Sequence, residues 1–190
     1  MTASTIDFYT KVHKGLRAAL FWLSQRAATT DYEADEGVAT LALDLRDVLA
    51  KLSAHAEHEA RFIHPLLEEK LGAAFDEDHA ALEMEQEEIR LAFRSLAQAA
   101  ARERSAGGLA FYRLLNRFIA RYLEHLEREE AAMPKLRASC TEEELFGVLA
   151  RFAASRTPGE AAADLAWMLP ALSPAEREEL MRPLISRRAA

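Results

Sequence analysis

Apolar residues recur along the chain in steps of three and four, the rhythm of helices with one buried face. The stripe Leu45, Val48, Leu52, His55, Glu59, Phe62 and Leu66 is typical in spacing but places a histidine and a glutamate where the rhythm asks for leucine. The pattern and its breaks predict four long helices over about residues 5–28, 32–70, 76–104 and 107–137, with Pro65 kinking or ending the second. Breaks are read at residues 29–31, 71–76, 105–108 (SAGG) and 137–140. Four Ser/Thr-x-x-Glu capping boxes (TDYE at 30–33, TEEE at 141–144, TPGE at 157–160 and SPAE at 173–176) mark helix starts. Connections this short make neighbours antiparallel, so the expected fold is all-α, an up-down-up-down four-helix bundle over residues 1–138. Residues 139–190 read as an extension of three short helices around Phe146, Leu149, Phe152, Trp167, Met168, Leu169, Leu180 and Leu184. That extension is too small to fold alone, and its WML run is expected to cover the bundle or to form a homodimer contact.

Composition agrees with helices: half of the 190 residues are apolar, with only seven glycines and six prolines. The net charge of −7 is spread along the chain, with no basic stripe for phosphates, so nucleic acid and anionic membranes are not expected partners. No long apolar run and no leader-like N-terminus is present, and a cytoplasmic location is expected. The single cysteine, Cys140, forms no internal disulfide and is assigned no role.

The polar residues on core faces change this picture. The first helix carries His13 in the stripe Ile6, Tyr9, His13, Leu16, Leu20, Leu23, the third carries His79 with Glu83 beside Leu82, and the fourth carries His125 and Glu129. In three helices the histidine is followed four residues later by glutamate, one turn along the same face. His13 and His79 lie early in their helices and His55 and His125 late, which in an antiparallel bundle puts all four near one end. One His-x-x-x-Glu pair by itself is usually a surface ion pair. Four buried histidines and three buried carboxylates without partners, however, would cost several kcal/mol each against a total stability of about 5–15 kcal/mol. Bound cations remove that cost. Seven nitrogen and oxygen donors without a thiolate exceed one tetrahedral zinc and suit two carboxylate-bridged first-row metals, for which iron is the expected identity. The expected ligands are His13, His55, Glu59, His79, Glu83, His125 and Glu129. His58 and His64 are read as solvent-facing or outside the ligand set, and Glu85, Glu87 and Glu88 as a solvated face. Tyr9 and Tyr122 precede histidines on the same stripes and are placed either to hydrogen-bond a ligand or simply to pack.

With these residues in hand, the chain resembles the hemerythrin-like (HHE cation-binding) family of four-helix bundles holding two non-haem irons. The likeness covers about residues 5–137 and rests on His13, HAEHE (55–59) with IHP, DHAALE (78–83) and HLEREEAAMP (125–134). It implies His13, His55, Glu59, His79 and His125 as ligands, with Glu59 bridging. Oxygen-carrying members have a second histidine where Glu83 stands, which suggests a resting diferric site without reversible oxygen binding, closer to iron-sensing and oxidase-like branches. The helix-four carboxylate is Glu129 or Glu130, and the inward stripe favours Glu129. The tail is similar to the segment after hemerythrin-like modules in plant iron-regulating ubiquitin ligases, without any ligase feature. The functions implied are iron, oxygen or nitric oxide sensing or handling, or alternatively a di-iron oxidoreductase that decomposes peroxide or oxidises ferrous iron; a small diatomic ligand or peroxide is the expected partner.

Overall fold

The computed structural model describes residues 6–73 and 75–188, with side chains described as far as residue 181. Its long helices are α1 (Thr10–Thr29), α2 (Asp35–Phe62), α4 (Asp76–Gln98) and α5 (Ala101–Ser139), with a two-turn α3 (His64–Leu71) between α2 and α4. The extension forms α6 (Glu142–Ala154), α7 (Pro158–Met168), a single 3₁₀ turn (Leu169–Ala171) and α8 (Pro174–Arg188). No strand occurs among the described residues, and no described helix is long and apolar enough to cross a membrane. Helix α1 packs on α2 and α5, and α4 packs on the same two, so the four long helices form the sides of a square.

Two local expectations are corrected, and of the two alternatives for Pro65 one holds. Pro65 ends the second helix rather than bending it: the ladder stops at Ile63, and α3 restarts at His64 with proline in its first turn. The SAGG segment is not a break but lies inside α5, and the chain turns earlier, at Ala99 and Ala100. Its glycines are there for close approach. A β-carbon on Gly108 would stand 2.4 Å from the Tyr32 ring, and one on Gly107 2.7 Å from Leu96 Cδ1. Residues 30–33 form no capping box, because Tyr32 is buried against Gly108 and donates its hydroxyl to the Ala27 carbonyl, so α2 begins only at Asp35. The boxes at Thr141/Glu144, Thr157/Glu160 and Ser173/Glu176 do form. Gly108→Ala is expected to destabilise the fold by about 1–3 kcal/mol, as overpacking does, read as a lower urea midpoint; an unchanged midpoint would show that Tyr32 moves aside freely.

The apolar core has two parts. The larger, built from residues such as Leu16, Leu20, Leu52, Ile89, Leu115 and Phe118, fills most of the bundle. The smaller, made of Tyr9, Leu67, Phe75, Met133, Leu136 and Leu145, closes one end, and Leu145 comes from α6. Going along the helices from the larger cluster to the smaller, the chain passes Leu16 to His13 to Tyr9 on α1, Leu82 to His79 to Phe75 at α4, and Leu126 to Glu129 to Met133 on α5. A polar layer therefore lies between two apolar ones.

The extension lies on this end and flank of the bundle. Trp167 packs on Gly15, where a β-carbon would approach its ring to 2.5 Å, and Phe152 meets the rings of Phe62 and His58 edge-on. Among its described residues Leu145, Val148 and Leu172 are buried, whereas Phe146 is 65% exposed and Leu149 is at the surface, contrary to their expected core role. The side chain of Leu184 lies outside the described residues.

Candidate metal centre

In the polar layer, Nε2 of each of five imidazoles lies within 3.8 Å of a carboxylate oxygen of Glu59 or Glu129. Glu59 and Glu129 are essentially inaccessible to solvent, and each divides its two oxygens between two groups of histidines. On one side, Glu59 Oε1 is 3.0 Å from His55 Nε2 and 3.6 Å from His13 Nε2, and Glu129 Oε2 is 3.6 Å from His13 Nε2. On the other, Glu59 Oε2 is 3.5 Å from His79 Nε2, while Glu129 Oε1 is 3.2 Å from both His79 and His125 Nε2 and 3.8 Å from His64 Nε2. Two cation-sized groups result, one of His13, His55, Glu59 and Glu129, the other of Glu59, His64, His79 and Glu129. His125 joins the second, its Nε2 only 3.0 Å from that of His79.

The outward nitrogens of two of the rings, His13 and His64, are hydrogen-bonded to acids on the far side, and a third faces one at longer range. His13 Nδ1 is 3.0 Å from Glu130 Oε1, and Glu130 is itself gripped by both terminal nitrogens of Arg17 at 2.6 and 3.1 Å. His64 Nδ1 is 3.2 Å from Asp76 Oδ1, and His125 Nδ1 faces Asp78 Oδ2 at 3.9 Å. An acid behind a ring fixes which nitrogen carries the proton and leaves the inward nitrogen as a lone pair, the arrangement of a metal-binding histidine.

The unpaired atoms make the same point. His13 Nε2, His55 Nε2, His64 Nε2, both oxygens of Glu59 and Glu129 Oε2 are buried without a hydrogen-bond partner, a concentration that ordinary protein interiors avoid. Nitrogen and oxygen donors without a thiolate fit a first-row divalent or trivalent cation.

The charges of the layer shift one another's protonation. Burial pushes the Glu59 carboxyl up, but the imidazoles of His55 and His13 outweigh burial and hold it below the ordinary range. Glu129 is held down against burial in the same way by His125, His64 and His79. Burial lowers His13 and His64, yet Glu130 and Glu59 raise the first, and Glu129 and Asp76 the second, above the ordinary imidazole value. Glu130, outside the layer, is brought down to about 2 by His13 and Arg17 against burial.

These directions give a pH dependence. Raised histidines stabilise the metal-free fold fully below their unfolded value of about 6.5, and the effect is lost as pH rises through their folded values. Lowered carboxylates stabilise it above about 4.3, and that effect is lost as pH falls through theirs. The metal-free layer is thus best satisfied at mildly acidic pH, where protons occupy the places cations would take. The rise in thermal midpoint on adding a divalent cation is expected to be larger near pH 8 than near pH 6. Equal rises at both would show that no protons are displaced.

Of the residues singled out from sequence, His13, His55, Glu59, His79, His125 and Glu129 are brought together. Glu83 is not: its side chain is exposed on the outer face of α4, and the inward place after His79 belongs to Leu82. Of the two alternatives on α5, Glu129 lies inside the layer and Glu130 lies behind His13. His64, read from sequence as outside the set, is 6% exposed and faces Glu129. It is turned inward by the break at Ile63, and the signal for it was the proline that follows, because the residue before proline resists continuing a helix. His58 does point away, toward Arg156 at 3.2 Å and the Phe152 ring. Inside the layer the carboxylates are thus Glu59 and Glu129, with Glu83 outside it.

No curated protein and no solved structure matches the chain. One sequence family does: the profile described as hemerythrin HHE cation binding domain matches residues 4–136, which span the bundle and all the residues of the polar layer. The chain therefore belongs to the hemerythrin HHE cation-binding domain family.

Proposed function

We propose that the chain holds two iron ions that share Glu59 and Glu129 as bridging carboxylates, and that it uses them to bind a small diatomic ligand such as oxygen or nitric oxide. The observation that carries this reading is the division of each carboxylate's two oxygens between separate sets of histidines. His13 and His55 would serve one ion, and His64, His79 and His125 the other. The first half thus offers four protein donors and the second five, which leaves the His13/His55 half with more room for an exogenous ligand. When bound, the iron pair supplies redox capacity and Lewis acidity.

The protein's own part is to hold the lone pairs inward, through Glu130 behind His13 and Asp76 behind His64, and to exclude bulk water with the two apolar clusters. Size selection follows from burial. Clefts of about 350 and 450 Å³ exist elsewhere, beside Trp22 and Trp167 and beside Phe111, and neither includes a residue of the polar layer. An enclosed centre of this kind favours a ligand of two or three atoms over an organic substrate. Anaerobic ferrous loading followed by oxygen, nitric oxide or peroxide, monitored optically, tests the reading. A stoichiometric adduct supports binding, and many turnovers of peroxide per chain would replace it with the oxidoreductase alternative.

A further inference from the structure

Tyr9 ends the helix stripe one turn before His13 and is completely buried. Its ring lies 5.1 Å from the His13 ring, tilted by 38°. Asp7 fixes the backbone there, accepting hydrogen bonds from the Tyr9 and Thr10 amides at 2.9 Å each. The Tyr9 hydroxyl nevertheless has no hydrogen-bond partner. A buried hydroxyl left unmatched costs about 1–3 kcal/mol, and phenylalanine would fill the same space in the smaller apolar cluster without that cost. A phenol hydroxyl is a hydrogen-bond donor in its ordinary neutral form, and here that donor is buried with nothing to accept it. Through its contact with the His13 ring, Tyr9 adjoins the His13/His55 half, the one with fewer protein donors.

We propose that the Tyr9 hydroxyl donates a hydrogen bond to the acceptor atom of a small anionic or oxygen-bearing ligand bound in the His13/His55 half. This assignment rests on the proposed iron pair. It makes Tyr9 a ligand-orienting residue that raises affinity for ligands with an exposed lone pair, and it explains why a polar group is kept where the packing is otherwise apolar.

The test compares the full chain with its Tyr9→Phe variant, both loaded anaerobically with ferrous iron, oxidised and titrated with azide under optical detection. Tyr9→Phe is expected to retain the iron content of the original, to leave the thermal midpoint of the metal-free chain unchanged or higher, and to bind azide about ten- to a hundredfold more weakly, the effect of losing a hydrogen bond to a charged acceptor. Equal azide affinity at equal iron content overturns the role of Tyr9 while leaving the centre intact. A lower midpoint in the metal-free variant would show that the hydroxyl has a structural partner, and this too overturns the proposal. So would a visible phenolate-to-ferric charge-transfer band that vanishes in the variant, since Tyr9 would then be a ligand itself. An original chain that takes up no iron pair defeats the underlying reading of the centre, a failure recognisable before any azide is added.

Discussion

Glu129→Gln is expected to empty both halves of the centre, whereas His55→Ala weakens one of them. Glu129 is the residue whose Oε2 faces His13 and whose Oε1 faces His64, His79 and His125. Glutamine keeps the shape but replaces one oxygen with an NH₂ group, which donates and cannot ligate, and it removes one of the two negative charges that offset the cations. Loss of a group merely supporting a ligand already lowers metal affinity about 10–100-fold, so removal of a shared ligand is expected to cost more than that at each half. His55 touches only the Glu59 Oε1 side, and its replacement leaves the donors of the other half in place. Metal content of the purified variants, measured beside far-UV circular dichroism to verify the helices, separates the two outcomes. If Glu129→Gln keeps its full metal content, the carboxylate does not bridge.

The second large effect contrasts two residues that sequence and structure rank in opposite order. His64→Ala is expected to lower affinity for a divalent cation at least about tenfold, because it removes a buried imidazole lone pair 3.8 Å from Glu129 Oε1. Glu83→Gln is expected to leave affinity unchanged, because an exposed side chain on the outer face of α4 reaches no donor of the centre. Isothermal titration with the same cation measures both. A strong effect at Glu83 with none at His64 would restore the ligand set that the helical stripe suggested.

The reason for that reversal lies in the phase of the helical repeat. Inward positions on these helices alternate steps of three and four residues. On α2 the buried run Leu52, His55, Glu59, Phe62 takes its four-residue step after the histidine, and on α5 His125 and Glu129 do the same. On α4 the inward residues run Leu82, Gln86, Ile89, Phe93, Leu96, which places the three-residue step directly after His79 and gives the inward seat to Leu82. The glutamate at the His-x-x-x-Glu spacing is therefore rotated outward, and the phase of the downstream apolar residues carried that information. His64 was hidden for a different reason. Helical counting assumes a continuous helix, and at five residues past Glu59 it points His64 away from the core, but the ladder ends at Ile63 and α3 sets out in a new direction. Where the helices run unbroken through the polar layer, as at His13, His55, Glu59, His125 and Glu129, counting alone located the residues. The SAGG misreading has the same root: a glycine pair signals either a break or a close approach, and only the position of the Tyr32 ring decides between them.

Two ferric ions sharing Glu59 and Glu129, as proposed above, would be magnetically coupled. Mössbauer spectroscopy of the full chain loaded with ⁵⁷Fe and then oxidised, combined with iron and protein determinations on the same sample, tests that coupling most directly. Two irons per chain are expected, with quadrupole doublets without magnetic splitting at low temperature, the signature of an antiferromagnetically coupled ferric pair. One iron per chain, or magnetically split spectra from isolated high-spin ferric ions, would contradict it.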